Sequence, residues 1–83
     1  MTEHEALGII TDIIYKVSGK NVHIELDQDL RNEGLLDSLD ILLFFMELEK
    51  KTGISIPETE ELIQGGWYNT RKLCKEIGKI QHL

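Results

Sequence analysis

The chain has too few thiols for a covalent or metal-based scaffold. Its 83 residues include one cysteine, Cys74, so an internal disulfide and a cysteine-based zinc site are both excluded, because each needs several thiols. A reducing compartment suits such a chain. His4, His23 and His82 are scattered, without the i, i+4 spacing of a helical metal pair, and are expected to be solvated rather than to bind metal. Repeats, low-complexity tracts and Pro/Gly/Ser-rich linkers are also absent, so 1–83 reads as a single domain. Basic residues are scarce, with nine against fifteen acidic ones and a formal charge of −6. Binding to a phosphate backbone depends on clustered Lys and Arg, so nucleic acid is excluded as a partner. No apolar run approaches the roughly 18 residues of a membrane span. MTEHEALGIITDII carries acids where a secretory signal would be basic, and the expected location is the cytoplasm.

With 41% hydrophobic and 29% charged residues, the composition is that of a folded globule. A chain this short buries a modest fraction of its surface and leaves little room for an enclosed active site. Its charge is segregated. Residues 21–61 hold eleven acids and three bases, while 62–83 hold one acid and four bases. An acidic middle would attract partners with basic surfaces, but from charge alone it reads more readily as a solubilising surface.

Apolar spacing predicts helix, long loop, helix, short helix, helix. Ala6, Ile10, Ile13 and Val17 form one stripe with Leu7 and Ile14 beside it, the period of a half-buried helix. Ser18-Gly19-Lys20-Asn21 ends that helix. The Ser-Gly-Lys triplet lacks the upstream glycine and following hydroxyl of a phosphate-binding loop. Residues 18–36 read as loop, anchored by Val22, Ile24, Leu26 and Leu30, and a loop this long is usually functional or pinned by side chains. A second helix starts at Asp37-Ser38 and stops at Gly53. Pro57 is expected to open a short helix through Ile63. Gly65-Gly66 breaks the chain, and Asn69 or Thr70 caps a last helix with Leu73, Ile77 and Ile80 on one face and Cys74 at its edge. Trp67 is expected to close the end of the bundle. The architecture these elements imply is an all-α antiparallel bundle of three main helices plus a short third one.

The second helix has more apolar residues than one buried stripe requires. Ile41, Phe44, Phe45 and Leu48 form one cluster, and Leu39, Leu42, Leu43 and Met46 form another on the opposite side. The phenylalanine face is the core candidate. Its opposite either stays exposed as an interaction surface, as expected for Leu39 and Met46, or is covered by the 18–36 loop, with Leu42 and Leu43 open to either outcome.

Asp37-Ser38-Leu39-Asp40 lies at a loop-to-helix junction. A phosphodiester built on Ser38 would sit at a helix N-terminus, where free N–H groups and the helix dipole favour an anion. Taken alone, such a pair is usually just a helix cap. Glu33-Gly34-Leu35-Leu36-Asp37-Ser38-Leu39-Asp40, followed by Leu48-Glu49-Lys50-Lys51 and Ile54-Ser55-Ile56-Pro57, closely resembles the acyl carrier protein family. The resemblance runs without a gap from Gly34 to Glu58 and more loosely over the outer helices.

That resemblance implies an acyl-carrier-like fold and makes Ser38 the attachment site of a covalent 4′-phosphopantetheine. In the family, a magnesium-dependent phosphopantetheinyl transferase adds this group from coenzyme A. Its thiol then holds acyl or aminoacyl groups as thioesters, so the protein is a carrier and not an enzyme. The expected partners are that transferase, an acyl- or aminoacyl-loading ligase and a downstream transferase or synthase. Docking is expected through Asp37, Leu39, Asp40, Leu42, Leu43, Met46 and Glu47, on a monomer without a membrane span.

Leu43 stands where fatty-acid-synthesis carriers typically have glutamate, and Lys50 where they often have another acid. A specialised route in fatty acid or secondary metabolism is therefore expected in place of the central fatty-acid pathway. Gly34-Leu35-Leu36-Asp37-Ser38 and Trp67-Tyr68-Asn69-Thr70 resemble the D-alanyl carrier subgroup, although the spacing from the Ile56 turn to the tryptophan is longer here. The competing reading is an unmodified helical module that docks through Leu39 and Met46 with Ser38 as a cap.

Overall fold

The computed structural model describes residues 2–80. His82 lies outside them. Four α-helices form: α1 (Glu3–Ser18), α2 (Ser38–Thr52), α3 (Thr59–Gln64) and α4 (Thr70–Ile80), with a 3-10 turn at Asn32–Gly34 inside the long loop. The all-helical bundle expected from the sequence is therefore present. Among the described residues there is no strand, and Asp29 and Asn69 form an isolated antiparallel bridge.

Local chemistry sets the helix limits. Thr2 caps α1 in a reciprocal box: its hydroxyl accepts from the Glu5 N–H at 3.1 Å, and the Thr2 N–H donates to the Glu5 carboxylate at 3.0 Å. This satisfies two donors that the first turn would otherwise leave open. Gly53 ends α2 at φ 80°, and its N–H donates to the Glu49 carbonyl, a left-handed cap that a side chain would strain. Asn69 caps α4, its side-chain oxygen accepting from the Arg71 N–H at 2.8 Å.

Helix α1 packs against both α2 and α4. Its buried stripe is Ala6, Ile10, Ile13 and Ile14, with Leu7 and Val17 partly buried against the core. Phe44, Phe45 and Leu48 are the buried apolar residues that α2 contributes, with Thr52 buried at its end, and Ile41 is half-buried at their edge. The two phenylalanine rings meet edge to face with centroids 5.3 Å apart, a favoured arrangement of their quadrupoles. Leu73, Cys74 and Ile77 bury one face of α4, but Ile80 is exposed, because the buried face of this helix ends one turn earlier than its spacing predicts.

The short helix also starts later than expected. Pro57 does not open it, since Glu58 still has extended backbone (φ −66°, ψ 160°) and α3 begins at Thr59. Ile54 is buried and Ile56 half-buried, so the segment before the proline is held down as an extended strap over the core, and Pro57 belongs to the strap. Past α3 the chain turns at Gly65, where an added Cβ would lie 2.8 Å from the Glu61 carbonyl oxygen and 3.0 Å from the Trp67 ring. This close approach lets Trp67 bury itself at the end of the bundle.

Candidate functional site

The approach to Ser38 is fixed from two sides. Leu35 and Leu36 are buried and anchor the turn from below. From the side, the Lys20 ammonium donates to the carbonyls of Gly34 at 2.7 Å and Leu35 at 2.9 Å. Sequence reasoning treated Lys20 only as part of a helix terminus. Backbone carbonyls leave no mark in a sequence, so nothing there pointed to this contact.

Asp37 is the N-cap of α2, with its carboxylate accepting from the Asp40 N–H at 2.8 Å. Ser38 is exposed as the first helical residue, and among the described residues no hydrogen bond engages its hydroxyl. The N–H groups of Ser38 and Leu39 lack intrahelical partners and are not taken by the Asp37 cap, which engages Asp40, so a phosphodiester on the Ser38 oxygen would meet free donors and the positive end of the helix dipole. The residues present fit a phosphate-linked group at this point.

The second apolar face of α2 is open to solvent. Leu39 is 62% exposed, Leu42 and Met46 are each 58% exposed, and Leu43 is 36% exposed. The long loop does not cover them; it lies elsewhere, pinned to the start of α4. The Thr70 hydroxyl, fully buried, donates to the carbonyls of Glu25 and Leu26 and accepts from the Gln28 N–H at 3.0 Å. Leu30 donates its N–H to the Tyr68 carbonyl at 2.8 Å, and the Asn69 amide donates to the Asp27 carboxylate at 3.0 Å. Arg31 lies over the Tyr68 ring at 4.3 Å and pairs with Asp29 at 2.8 Å, which holds the Asp29 carboxyl below its ordinary range. The Trp67-Tyr68-Asn69-Thr70 sequence thus works here as a clasp for the loop.

Of the expected docking residues, Leu39, Leu42, Leu43 and Met46 form one accessible strip, whereas two acids are committed within the molecule. Asp37 caps the helix. Glu47 pairs with Lys16 on α1 at 3.0 Å, and that hydrogen bond holds its carboxyl below the usual range. Asp40 is half-buried in the first turn of α2. Cys74 is buried at the α4 edge with its sulfur 4.0 Å from the Glu3 carbonyl, and burial pushes its thiol pKa up. Such a thiol is a poor nucleophile. His4 and His23 are exposed, and among the described residues no group of His, Cys, Asp and Glu is arranged to hold a metal.

A groove of about 350 Å³ begins at Ser38 and runs between α2 and the strap leading into α3, with Leu42, Phe45, Met46, Ile56, Leu62 and Tyr68 in its walls. A sequence scan misses it, because it depends on how closely the strap and α3 approach α2.

Comparison with known proteins matches residues 8–64 to the model of the phosphopantetheine attachment site. The chain belongs to the phosphopantetheine carrier family. The domain of this family carries a covalently attached 4′-phosphopantetheine prosthetic group, and its members are carriers, not catalysts, that interact with modifying transferases and loading ligases. The carrier is 38% identical over 69 residues to the D-alanyl carrier protein of Lactococcus lactis subsp. lactis, covering 82% of this chain and 86% of the relative. It is 26% identical over 81 residues to D-alanyl carrier protein 1 of Lactiplantibacillus plantarum, covering 98% of this chain and 100% of the relative. A D-alanyl carrier protein of Streptococcus suis is 27% identical over 73 residues, covering 88% of this chain and 91% of the relative. These likenesses to D-alanyl carriers weigh against a place in fatty acid biosynthesis. No helix of the described carrier is long and apolar enough to cross a membrane.

Proposed function

We propose that the carrier works as one free-standing domain over residues 1–83, in the cytoplasm, and that it bears its 4′-phosphopantetheine on Ser38 and delivers aminoacyl groups of the D-alanyl type. The group supplies a thiol that holds its cargo as a thioester. The observation that carries this reading is the exposed Ser38 hydroxyl on the first turn of α2, inside the matched attachment region. The chain's own residues orient and present it. Asp37 fixes the helix start, Leu35, Leu36 and Lys20 hold the incoming turn, and Leu39, Leu42, Leu43 and Met46 offer an adaptable apolar face to a phosphopantetheinyl transferase, a loading ligase and an acceptor enzyme in turn. The similarity to D-alanyl carriers supports the aminoacyl cargo, and so does Leu43 at the place where fatty-acid carriers typically have an acid.

The test is an intact mass after incubation with coenzyme A and a broad-specificity phosphopantetheinyl transferase. One addition, located on Ser38 by tandem mass spectrometry and absent from Ser38→Ala, is expected. A folded wild-type protein that stays unmodified, or a Ser38→Ala protein that is modified, refutes the reading and favours the unmodified docking module. A D-alanine-activating ligase should then load the modified protein, and loading with a fatty acid in its place would overturn the aminoacyl assignment.

A further inference from the structure

Lys20 ties two distant parts of the chain together at the approach to Ser38. Its backbone belongs to the end of α1: Gly19 caps that helix at φ 75°, the Ser18 hydroxyl donates to the Ile14 carbonyl at 2.6 Å, and the Lys20 N–H donates to the same Ser18 oxygen at 3.1 Å. Ile14 is fully buried, so the root of the lysine is fixed on the helix that packs against both α2 and α4. Its tip reaches 14 and 15 residues ahead, where the ammonium donates to the Gly34 and Leu35 carbonyls at 2.7 and 2.9 Å. Among the described residues no backbone donor engages either carbonyl. The turn needs such a hold. Burial of Leu35 and Leu36 fixes two side chains but leaves the tilt of the peptide planes to hydrogen bonding. Gly34 stands at φ 69° with open space where a Cβ would be, and glycine changes conformation at little steric cost. The two carbonyls belong to consecutive peptide planes. Holding both on one ammonium sets the direction in which the chain enters the extended N-cap residue Asp37 (φ −86°, ψ −177°), and Ser38 follows directly.

We propose that Lys20 is a positioning residue for the modification of Ser38, acting through the two carbonyls it holds to place the serine oxygen for phosphopantetheinyl transfer. This rests on the carrier reading above and names a residue that controls the same site. In the transfer, the Ser38 oxygen forms a bond to the phosphorus that bears the pantetheine unit of coenzyme A. The bond from that phosphorus to the bridging oxygen breaks, 3′,5′-ADP leaves with the electron pair, and the serine proton passes to a base of the transferase. Attacking and leaving oxygens must lie roughly in line, so a displacement of the serine oxygen by about 1 Å costs on the order of a hundredfold in rate. Lys20 touches no reacting atom. Its hydrogen bonds are charge-assisted, and an ammonium has three donors to share between neighbouring acceptors, which suits it to fixing two peptide planes at once.

The test follows modification of the intact carrier by a broad-specificity phosphopantetheinyl transferase at saturating coenzyme A, with the carrier concentration varied to separate kcat from KM. Lys20→Met keeps an unbranched stem and removes the donors, while Lys75→Met removes the same charge from an exposed position on α4. Lys20→Met is expected to lower kcat roughly tenfold with KM within about twofold of wild type. Lys75→Met should leave both unchanged, and Lys20→Arg, which keeps charge and donors, should recover most of the lost rate. In the unmodified Lys20→Met protein the ¹³C carbonyl signals of Gly34 and Leu35 should move and the Ser38 amide should broaden by exchange, while the Ile10 and Phe44 signals stay in place. A kcat within about twofold of wild type, or a loss confined to KM as a docking contact would give, overturns the positioning role and leaves the carrier reading standing. Unmoved Gly34 and Leu35 carbonyl signals do the same. So does a Lys20→Met protein that is unfolded by far-UV circular dichroism, because the lysine would then hold the domain as a whole. Wild-type protein that is folded yet not modified on Ser38 overturns the carrier reading and the positioning role together.

Discussion

Replacing Thr70 with valine would remove one hydroxyl and keep the shape of the side chain, which isolates the clasp between the long loop and α4. That hydroxyl is fully buried and makes three contacts, donating toward the Glu25 and Leu26 carbonyls and accepting from the Gln28 N–H. A buried polar group left without a partner costs about 1–3 kcal/mol. Glu25 is exposed and Gln28 half-buried, so water can reach part of the damage, and a loss of about 2–3 kcal/mol is expected for Thr70→Val. Thr70→Ser keeps the hydroxyl and loses one buried methyl, which should cost about 1 kcal/mol. Urea melts followed by far-UV circular dichroism and by Trp67 fluorescence would give both values. If valine falls within about 0.5 kcal/mol of wild type, as a surface substitution would, or costs less than serine, the hydroxyl does not hold the loop.

The two faces of α2 should separate in the same assay. Phe44→Ala should cost about 3–5 kcal/mol, while Leu39→Ala and Met46→Ala stay within about 0.5 kcal/mol of wild type yet slow modification or loading by partner enzymes; equal destabilisation of all three would reverse the assignment. Fatty-acid-synthesis enzymes should use the loaded carrier poorly, and Leu43→Glu with Lys50→Glu should improve transfer; no gain, or full activity in wild type, would refute the reasoning from charge. Asp29 and Glu47 both have depressed carboxyl pKa values because of their Arg31 and Lys16 partners. Their contribution is therefore complete above the ordinary carboxylate values and is lost as pH falls below about 4.5 through the lowered ones. The stability gap between wild type and Lys16→Met should shrink over that range, and a gap that stays constant to pH 3 would rule out the ion pair as its source.

Where a residue's role depended on its near neighbours, the sequence was legible. The stripe of α1, the Asp37 cap, the Gly53 stop and the choice of Phe44 and Phe45 as the buried face of α2 all follow from spacings of one or two turns. Ser38 was singled out for another reason, since the motif around it is contiguous from Gly34 to Glu58. Contacts between distant segments were not visible. Thr70 binds backbone groups 42 to 45 residues away, so a residue read as one of two possible helix caps proved to fasten the loop. The extended run before α3 was legible from Pro57, but the start of α3 was misplaced because Glu58 stays extended and the helix opens at Thr59. Ile80 kept the right period but lay beyond the end of the core.

The third helix has a bearing on how this carrier breathes. It spans six residues, has no side-chain cap, and contributes Leu62 as its buried residue. Helix α1, by contrast, is fastened to both α2 and α4. Local opening free energies follow such differences in burial and pairing, so α3 should exchange its amide hydrogens well before α1 does. Because α3 forms one wall of the Ser38 groove, that opening widens the groove without disturbing the helices that hold the serine. The start of α2 can stay rigid while the space beside it changes in width.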